Sequence, residues 1–252
     1  KLNEGGGKMN TSAIQHIENN KENKYKKNPI ELLKWISSNL PNDKVVMGTG
    51  FGPPGIVLLD LLFKVTKNIS VFYIDTNFLF DQTLDLKNRL EDRYGFKFIE
   101  FSTKLTPEMQ SKEYGEELWE KDPDACCNLR KVMPLKDALS NYDVWITGIR
   151  KKQTNVRQQS SLIEFESRFE VIKINPLINW THDEVWDYIK DNDLPYNSLH
   201  DRNYPSIGCK PCTSPVCDGE DDRSGRWKGT NKTECGLHGN KTISMDEIKR
   251  KI

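Results

Sequence analysis

Short apolar runs alternate with amphipathic stretches along the chain from Lys44 onward, and this alternation limits the possible folds more than any other feature. The pattern is typical of βαβ units, in which helices connect parallel strands and cover the sheet that they form. We therefore predict an α/β fold, an open parallel sheet with helices on both faces. The predicted strands lie near residues 44–48, 70–75, 96–101 and 143–147. The predicted helices cover residues 56–66, 81–94, 107–119, 128–140 and 181–191. The last of them opens with a capping box that begins at Thr181.

The two ends of the chain differ from this middle part. Residues 1–28 contain GGGK and NNKENKYKKN with little apolar periodicity, and we expect a flexible N-terminal tail there. A helix is predicted for residues 29–40. Residues 29–238 are expected to form a single domain, which includes an irregular, cysteine-rich C-terminal segment over residues 204–238. Residues 239–252 would be a C-terminal tail.

Composition and charge argue against several classes of protein. The chain has 252 residues with 37 Lys and Arg against 37 Asp and Glu, and this zero net charge argues against a general nucleic-acid binder. No apolar run approaches the roughly 18 residues of a membrane span, and the N-terminus has no apolar stretch typical of a secretory signal. We expect a soluble cytoplasmic protein, or a plastid protein if the source is photosynthetic and a transit peptide has been removed. In such a reducing compartment, six cysteines favour metal ligands or a redox nucleophile over disulfides.

Four of the six cysteines fall into two pairs. Cys209 and Cys212 form a CxxC motif, and Cys126 and Cys127 are adjacent, so that the pairs together supply four soft ligands. Four thiolates can hold either zinc or a [4Fe–4S] cluster, and the spacing of the residues does not distinguish the two. The alternative is that the adjacent pair consists of small buried apolar side chains at the start of a helix, which is common for free cysteines.

Three of the predicted strands end in loops that suit a bound anion or nucleotide. The first is the glycine-rich loop at residues 47–55, the second follows Asp75 and Thr76, and the third is a basic loop at residues 148–157. Ligands of open α/β sheets bind at the carboxyl ends of the strands, so these loops are in place to surround one nucleotide. Each loop also has a plain structural alternative. The first could be only a tight turn between strand and helix, Asp75 and Thr76 could only cap a turn, and the third loop could be a solvated run of basic side chains.

Four motifs, taken in their order along the chain, resemble those of one enzyme family. They are the paired cysteines in DACCNLRKVMPLKDAL, the CxxC in LPYNSLHDRNYPSIGCKPC, the DRSGRW stretch and the ECGLH stretch. Together they are similar to the assimilatory adenylyl-sulfate (APS) reductases of the iron–sulfur type, from about Val45 to His238. The strand ends IDTN and TGIR also resemble the family. The loop at residues 48–55 reads GTGFGPPG and departs from the family's serine-rich form.

The resemblance implies a fold, an activity and roles for particular residues. The fold is that of the adenosine-nucleotide α-hydrolases. The activity is thiol-dependent reduction of APS to sulfite and AMP in sulfate assimilation and cysteine biosynthesis, through an S-sulfonate on Cys235. A [4Fe–4S] cluster would be held by Cys126, Cys127, Cys209 and Cys212. The residues that the resemblance assigns to substrate binding are Gly50, Phe51, Gly52, Asp75, Thr76, Lys131, Gly148, Arg150, Arg223, Arg226 and His238. Cys217 has no counterpart in the family motifs.

The resemblance also implies a partner for the thiol chemistry. A thioredoxin or a glutaredoxin-like thiol donor is expected to act in trans, because few residues follow His238. No nucleic-acid or membrane partner is expected. The sequence does not decide whether the chain forms a homo-oligomer. The stretch around Cys235 is glycine-rich and near the end of the chain, so we expect it to be mobile until substrate arrives.

Three rival functions stay open. A reductase of the 3′-phosphorylated nucleotide (PAPS), or of both nucleotides, shares the fold and the ECGLH stretch but generally lacks the four paired cysteines. An ATP-consuming adenylyl transferase of the same fold would need a Ser-Gly-Gly-x-Asp-Ser type of loop, which this sequence lacks. A zinc module that binds another macromolecule would not need the nucleotide-like strand ends.

Overall fold

The computed structural model describes residues 11–20, 24–25, 27–230, 232–238 and 242–243. In this part of the chain, seven strands form one sheet in the order β3-β2-β1-β4-β6-β5-β7. The strands are β1 (Val45–Gly48), β2 (Ser70–Asp75), β3 (Ile99–Ser102), β4 (Val144–Ile146), β5 (Ile163–Glu166), β6 (Val171–Ile174) and β7 (Thr242–Ile243).

Five neighbouring strands, from β3 to β6 in the sheet order, run parallel. Their register places Met47 of β1 beside Val71 of β2, and Val46 of β1 beside Trp145 of β4. Because β1 is covered on both faces, it is apolar throughout and its first three residues are buried. These strands confirm the predicted α/β fold with a parallel sheet.

One edge of the sheet is antiparallel, which the sequence analysis did not predict. β5 pairs antiparallel with β6 on one side and with β7 on the other. The β5 sequence, IEFE, places two glutamates inside the protein, where Lys173 pairs with Glu164 and Arg168 pairs with Glu166, each at 2.9 Å. The local sequence pattern does not predict such a strand, because the charges of its inward-facing glutamates are neutralised only by residues that the fold brings next to them. The sheet is therefore mixed rather than wholly parallel.

Helices lie on both faces of the sheet, as predicted. Helices α2, α3, α4 and α9 contribute to the core cluster that contains Met47 and Ile146, whereas α8 packs on the other face against Val46 and Trp145. Within the described residues, no helix is both long enough and apolar enough to cross a membrane. The helices are α1 (Thr11–Asn20), α2 (Pro29–Asn39), α3 (Pro53–Val65), α4 (Asp81–Tyr94), α5 (Pro107–Tyr114), α6 (Leu118–Lys121), α7 (Pro123–Cys127), α8 (Met133–Leu139) and α9 (His182–Asp191).

The local signals at the helix ends explain most of these boundaries. The capping box at Thr181 is present, since its hydroxyl accepts from the Glu184 N–H at 3.1 Å and its own N–H donates to the Glu184 carboxylate at 2.7 Å. The helix predicted over residues 107–119 is instead divided into α5 and α6, because Gly115 ends α5 at a positive φ of 87°. The helix predicted over 128–140 begins with a π-helical turn, Asn128–Val132, that precedes α8.

The N-terminal residues that the structure describes are partly ordered against the core. The sequence predicts a flexible tail over residues 1–28, but residues 11–20 form α1, and the side chains of Ile17 and Tyr25 are fully buried in the main core cluster. His16 stacks on Trp35 of α2 with ring centroids 4.6 Å apart. Residues 1–10 lie outside the described residues, and so does most of the predicted C-terminal tail at 239–252. The domain boundaries as a whole stay predictions.

Candidate active site

A cavity of about 300 Å³ lies at the carboxyl edge of the parallel strands. Its walls come from the ends of β1, β2 and β4 and from the cysteine-rich C-terminal segment, so the tertiary structure brings together stretches that are far apart in the sequence. This is the position at which open α/β sheets bind ligands. The predicted catalytic and substrate-binding residues that line the cavity are Gly50, Phe51, Gly52, Thr76, Lys131, Gly148, Arg223, Arg226, Cys235 and His238, and the predicted metal ligand Cys209 lines it as well.

The loop after β1 forms one wall of the cavity and leads into α3. Gly52 is the N-cap of α3 and Pro53 follows at the first helical position, where the missing N–H of proline costs nothing. Among the described residues no side chain caps this helix end, and Pro53 and Pro54 carry no N–H. Gly55 is therefore the first residue of the helix with an N–H to offer an anion, beside the positive end of the helix dipole. Gly148 packs against the loop so closely that a Cβ there would lie 3.1 Å from the Pro54 backbone.

The loop after β2 gives different roles to its two predicted site residues. Thr76 is buried, lines the cavity and accepts a hydrogen bond from Cys209 Sγ at 3.3 Å. Asp75 does not line the cavity, and its carboxylate accepts from the Asn77 N–H at 2.7 Å, with Asn77 at a positive φ of 58°. In this structure Asp75 therefore has the turn-capping role that was its plain structural alternative.

The loop after β4 contains an arginine that the structure places outside the cavity wall. Arg150 is buried, donates to the Trp180 carbonyl at 3.1 Å and does not line the cavity. Burial lowers the pKa of Arg150 from its ordinary value. The cavity is lined instead by Gln153 and Arg157 from the same loop. Among the described residues, Arg157 therefore lines the cavity, where Arg150 was predicted to lie.

Lys131 lies between this cavity and a second, smaller one. The π-helical turn after α7 carries Lys131, whose side chain lines both cavities and is 8% exposed. Burial would lower the pKa of Lys131, but the neighbouring thiols of Cys209, Cys235 and Cys127 outweigh it and raise that pKa well above its ordinary value. The lysine is therefore a fixed positive charge between the two cavities.

Cys235 lies at the cavity wall with positive charge around it. The thiol is half-buried. Burial alone would raise the pKa of Cys235, but Lys131, the Leu237 N–H, Arg157 and Arg226 outweigh that effect and lower the pKa below its ordinary value. A lowered pKa increases the thiolate fraction, and the thiolate is the nucleophilic form of cysteine.

The stretch around Cys235 is docked against distant parts of the chain in this structure, and the expectation that it is mobile until substrate arrives stays a prediction. Glu234, the residue before the thiol, accepts hydrogen bonds from Thr154 and Arg157 and forms an ion pair with Arg223 at 3.5 Å. The carbonyls of the two residues after the thiol accept from Arg168. None of these contacts is visible in the local sequence, because each partner except Arg223 lies more than 60 residues away.

His238 closes the other end of the docked stretch. Its ring stacks on Trp145 of β4, with centroids 5.3 Å apart and planes inclined by 14°. Burial, followed by the positive charges of Lys173 and Arg157, holds the pKa of His238 well below its usual range. The imidazole is therefore neutral, and its buried Nδ1 has no hydrogen-bond partner among the described residues. Trp145 Nε1 is also buried, and it too has no hydrogen-bond partner within the part of the chain that the structure describes.

The two arginines of the DRSGRW stretch line the cavity next to the CxxC turn. Arg226 pairs with Thr213 in an isolated antiparallel bridge, and its guanidinium lies 4.4 Å from the Trp227 ring centre. It also approaches Gly208 so closely that any side chain at that position would collide with it. Arg223 donates to the Thr233 carbonyl at 2.9 Å, which ties the DRSGRW stretch to the ECGLH stretch.

The four paired cysteines line the second cavity. Cys126 and Cys127 end α7, Cys209 precedes a 3₁₀ turn that Cys212 ends, and all four are buried and free of disulfides. Burial and the neighbouring thiols raise the pKa of Cys126 to about 11 and the pKa of Cys212 to about 12. Across the described residues, no three His, Cys, Asp or Glu side chains already have the arrangement that holds a metal ion.

The surroundings of these thiols nonetheless suit an anionic sulfur-rich group. Arg130 is buried to 1% exposure beside the cavity, and its Nη2 has no hydrogen-bond partner among the described groups. Its Nε and Nη1 donate to Gln110 and to the Thr76 carbonyl. Four soft ligands and an unpaired buried donor are a chemical match for an iron–sulfur cluster, whose sulfides accept hydrogen bonds.

The fold and the cavity define an α/β protein with a pocket at the carboxyl edge of its parallel strands, and a cysteine lies at the wall of that pocket. The phosphoadenosine phosphosulfate reductase domain matches residues 44–215. The adenosine 5′-phosphosulfate reductase of Halalkalibacterium halodurans is 45% identical over 214 residues, which cover 84% of this chain and 92% of that protein. The adenosine 5′-phosphosulfate reductase 1 of Bacillus subtilis is 44% identical over 213 residues, or 84% of this chain and 91% of that one.

A solved structure is similar as well. The crystal structure of phosphoadenylyl-sulfate (PAPS) reductase from Candida auris, a phosphate complex, aligns with a TM-score of 0.71 and 33% identity, and covers 84% of this chain and 100% of that one. The chain belongs to the phosphoadenosine phosphosulfate reductase family. The family resemblance inferred from the sequence motifs is thereby confirmed.

Proposed function

We propose that the chain is an oxidoreductase that reduces APS to sulfite and AMP in sulfate assimilation. Relatives that carry the name adenosine 5′-phosphosulfate reductase match over 84% of the chain at 44–45% identity. The observation that carries the chemistry is the position of Cys235, a thiol of lowered pKa at the wall of a cavity that Lys131 and Arg226 also line.

The nucleotide would lie along the carboxyl edge of the sheet. Its phosphate would meet the Gly55 N–H and the positive end of the α3 dipole, beside Gly50 and Gly52. Its sulfate would then extend toward Cys235, where Lys131, Arg157, Arg223 and Arg226 supply positive charge. Arginine can bind such oxyanions through two parallel hydrogen bonds, which fixes their orientation as well as their position.

The first step would be attack of the Cys235 thiolate on the sulfate sulfur. A bond forms between Sγ and that sulfur, and the bond from the sulfur to the bridging oxygen breaks. The electron pair of the broken bond leaves with the oxygen as AMP, and an S-sulfonate remains on Cys235. The cations around the cavity would stabilise the negative charge that builds up on the leaving phosphate.

The second step would release sulfite and needs a thiol donor. A donor thiolate attacks Sγ of Cys235, which forms a mixed disulfide, and the electron pair of the sulfur–sulfur bond leaves with sulfite. A second donor thiolate then frees Cys235 and leaves the donor as a disulfide, so the donor supplies the two electrons. A thioredoxin or a glutaredoxin-like protein in trans would serve. We place the reaction in the cytoplasm, since the two adenosine 5′-phosphosulfate reductases reported above are bacterial. They give no support to a plastid location.

The four paired cysteines would hold a [4Fe–4S] cluster. Cys126, Cys127, Cys209 and Cys212 supply the four soft ligands, and their shared cavity and the unpaired Nη2 of Arg130 support this assignment over a purely apolar role. When bound, the cluster would supply a compact anionic group next to Lys131. The lysine itself would orient the substrate sulfate from the other side, since its side chain lines both cavities.

PAPS reduction is the second candidate function, because the solved structure of a PAPS reductase is 33% identical to this chain. The two candidates are separated by anaerobic turnover with APS and with PAPS in parallel, measured as sulfite released in the presence of thioredoxin. We expect a much higher kcat/KM for APS, because a 3′-phosphate without its own positive partners loses a few kcal/mol of binding. Equal kcat/KM values would show a dual-use enzyme, and turnover of neither nucleotide would refute the proposal.

A further inference from the structure

Arg168 occupies a turn at the antiparallel edge of the sheet, where its side chain has no role in the steps described above. It lies between β5 and β6, and its Nε and Nη2 donate to the two carboxylate oxygens of Glu166 at 2.9 Å each. Glu166 is fully buried, so this two-point ion pair is shielded from solvent on the glutamate side. The Arg168 guanidinium also lies over the Phe169 ring at 5.0 Å. The guanidinium is therefore fixed in both position and orientation.

The remaining donors of Arg168 reach the main chain directly after Cys235. Nη1 donates to the Gly236 carbonyl at 2.6 Å, and Nη2 donates to the Leu237 carbonyl at 3.0 Å. Gly236 has a φ of 77°, so the chain turns at this point, and the two carbonyls converge on one guanidinium. Hydrogen bonds from a charged donor are about twice as strong as neutral ones.

The same edge of the sheet also receives the chain that follows. β7, at Thr242–Ile243, pairs antiparallel with β5 and places Thr242 beside Glu166. Leu237 packs against the apolar cluster that contains Trp145 and Val171. The C-terminal side of Cys235 is thus attached to the β5–β6 hairpin by side-chain, main-chain and strand contacts, independently of the Glu234 contacts on the N-terminal side.

We propose that Arg168, locked by Glu166, is a positioning residue that clamps Cys235 in the cavity. The inference rests on the proposed function, in which S-sulfonate formation is the first half-reaction and sulfite release is the second. With the clamp closed, Cys235 stays at the cavity wall, where the sulfate sulfur would be. Since a thiol donor must reach Sγ, the two hydrogen bonds of Arg168 have to break before sulfite can leave. The clamp favours the first half-reaction and opposes the second.

Opposite effects on the two half-reactions distinguish a clamp from a residue that only stabilises the fold. Replacing Arg168 should slow the formation of the S-sulfonate and speed its removal by a dithiol. A variant that is merely less stable would slow both. Arg168→Gln leaves the buried Glu166 without its charged partner, so the double variant Glu166→Gln/Arg168→Gln, which removes both charges, is measured beside it. Arg168→Lys keeps the charge but loses the two-point geometry.

A matched control exists elsewhere in the chain. Arg93 at the end of α4 also donates to two consecutive carbonyls, those of Asn192 and Asp193, at 3.0 and 2.8 Å. It also lies near the ring of the next residue, Tyr94, at 5.9 Å. It does not line the cavity. Arg93→Gln therefore removes the same kind of contact at a place where no thiol is held.

The test measures the reactivity of Cys235 first, since this requires no turnover. The full chain, in a Cys217→Ser background, is treated with iodoacetamide without nucleotide, and labelling of the peptide that contains Cys235 is followed by mass. We expect Arg168→Gln and the double variant to be labelled about tenfold faster, which corresponds to roughly 1.4 kcal/mol. Arg168→Lys should fall in between, and Arg93→Gln should match the parent.

Single-turnover kinetics then test the positioning role. S-sulfonate formation from APS should slow by about tenfold in Arg168→Gln, and its removal by dithiothreitol should become faster, with the half-saturating APS concentration unchanged. Labelling at the parental rate in both Gln variants, or an equal increase in Arg93→Gln, would overturn the clamp. Faster labelling without any change in the half-reactions would also overturn the positioning role. If APS does not react at all, the proposed function fails, while the labelling result still decides whether the clamp exists.

Discussion

Arg157 and Glu234 form a two-point ion pair at the cavity wall, in which Nε and Nη2 of the arginine each lie 3.0 Å from a different carboxylate oxygen. The two residues are 77 positions apart, and Glu234 directly precedes Cys235. Both side chains are nearly buried, at 11% and 9% exposure, so solvent screens the pair only weakly. The pair therefore connects the basic loop after β4 to the position of the thiol.

Neutralising Glu234 should loosen the docked stretch. Glu234→Gln loses the charge that Arg157 and Arg223 share, and a hydrogen bond to a charged group contributes about 1.5–3 kcal/mol. We expect faster amide hydrogen exchange in the peptide that contains Cys235, and a lower rate of S-sulfonate formation. Glu116→Gln, at an exposed position outside the cavity, is the control. Unchanged exchange in Glu234→Gln would show that the pair does not hold the stretch.

Replacing Cys235 by serine should abolish sulfite formation and leave nucleotide binding intact. A hydroxyl at this position is a far weaker nucleophile than a thiolate, whose fraction is raised by Lys131 and Arg226. Parent protein given APS without a thiol donor should gain the mass of one sulfonate group on the peptide that contains Cys235. Cys217→Ser is the matched control, because Cys217 is exposed and lines neither cavity. Sulfite release by Cys235→Ser at the parental rate would refute the mechanism.

The four paired cysteines should bind one iron–sulfur cluster per chain. Protein isolated without oxygen should be brown and contain about four iron and four sulfide per chain, the number expected for a cubane held by four thiolates. Cys126→Ser and Cys212→Ser should each lower both contents, whereas Cys217→Ser should not. One equivalent of zinc without acid-labile sulfide would contradict the assignment and favour a structural zinc site.

Asp60 should make a pH-dependent contribution to stability. Burial would raise the pKa of Asp60, but hydrogen bonds from Lys64, Tyr188 and Tyr94 outweigh it and lower that pKa. A lowered folded-state pKa stabilises the fold above the unfolded-state value of about 4, and this stability is lost as the pH falls through the folded-state pKa. The free energy of unfolding of Asp60→Asn should therefore be about 1–3 kcal/mol lower than that of the parent at pH 7.

The measurement is urea unfolding of the parent and of Asp60→Asn at neutral pH and at successively lower pH. The difference in the free energy of unfolding between the parent and Asp60→Asn should shrink at acid pH, where the parental carboxylate becomes protonated. Asp187→Asn on α9, an exposed position, should show no such trend. A difference that stays constant down to acid pH would mean that the charge of Asp60 does not contribute.

Much of the fold could be predicted from the sequence, because the signals involved are local. The apolar runs of β1, β2 and β4 and the capping box at Thr181 depend on residues within a few positions of one another. The motifs around the cysteines likewise pointed to the family, which the comparisons confirm. The assignment of individual site residues to roles stays a prediction, although ten of the predicted catalytic and substrate-binding residues lie around one cavity.

Other features depend on partners far along the chain, and only the tertiary structure decided them. Glu166 of β5 is buried because Arg168 and the neighbouring strands neutralise and cover it, so IEFE carries no local strand signal. Arg150 and Asp75 follow strands as the sequence suggests, yet one donates to the Trp180 carbonyl and the other caps a turn. The ECGLH stretch has the composition of a loose tail. It is docked because Arg157 and Arg168, 77 and 68 residues from their partners, supply charged hydrogen bonds that composition cannot reveal.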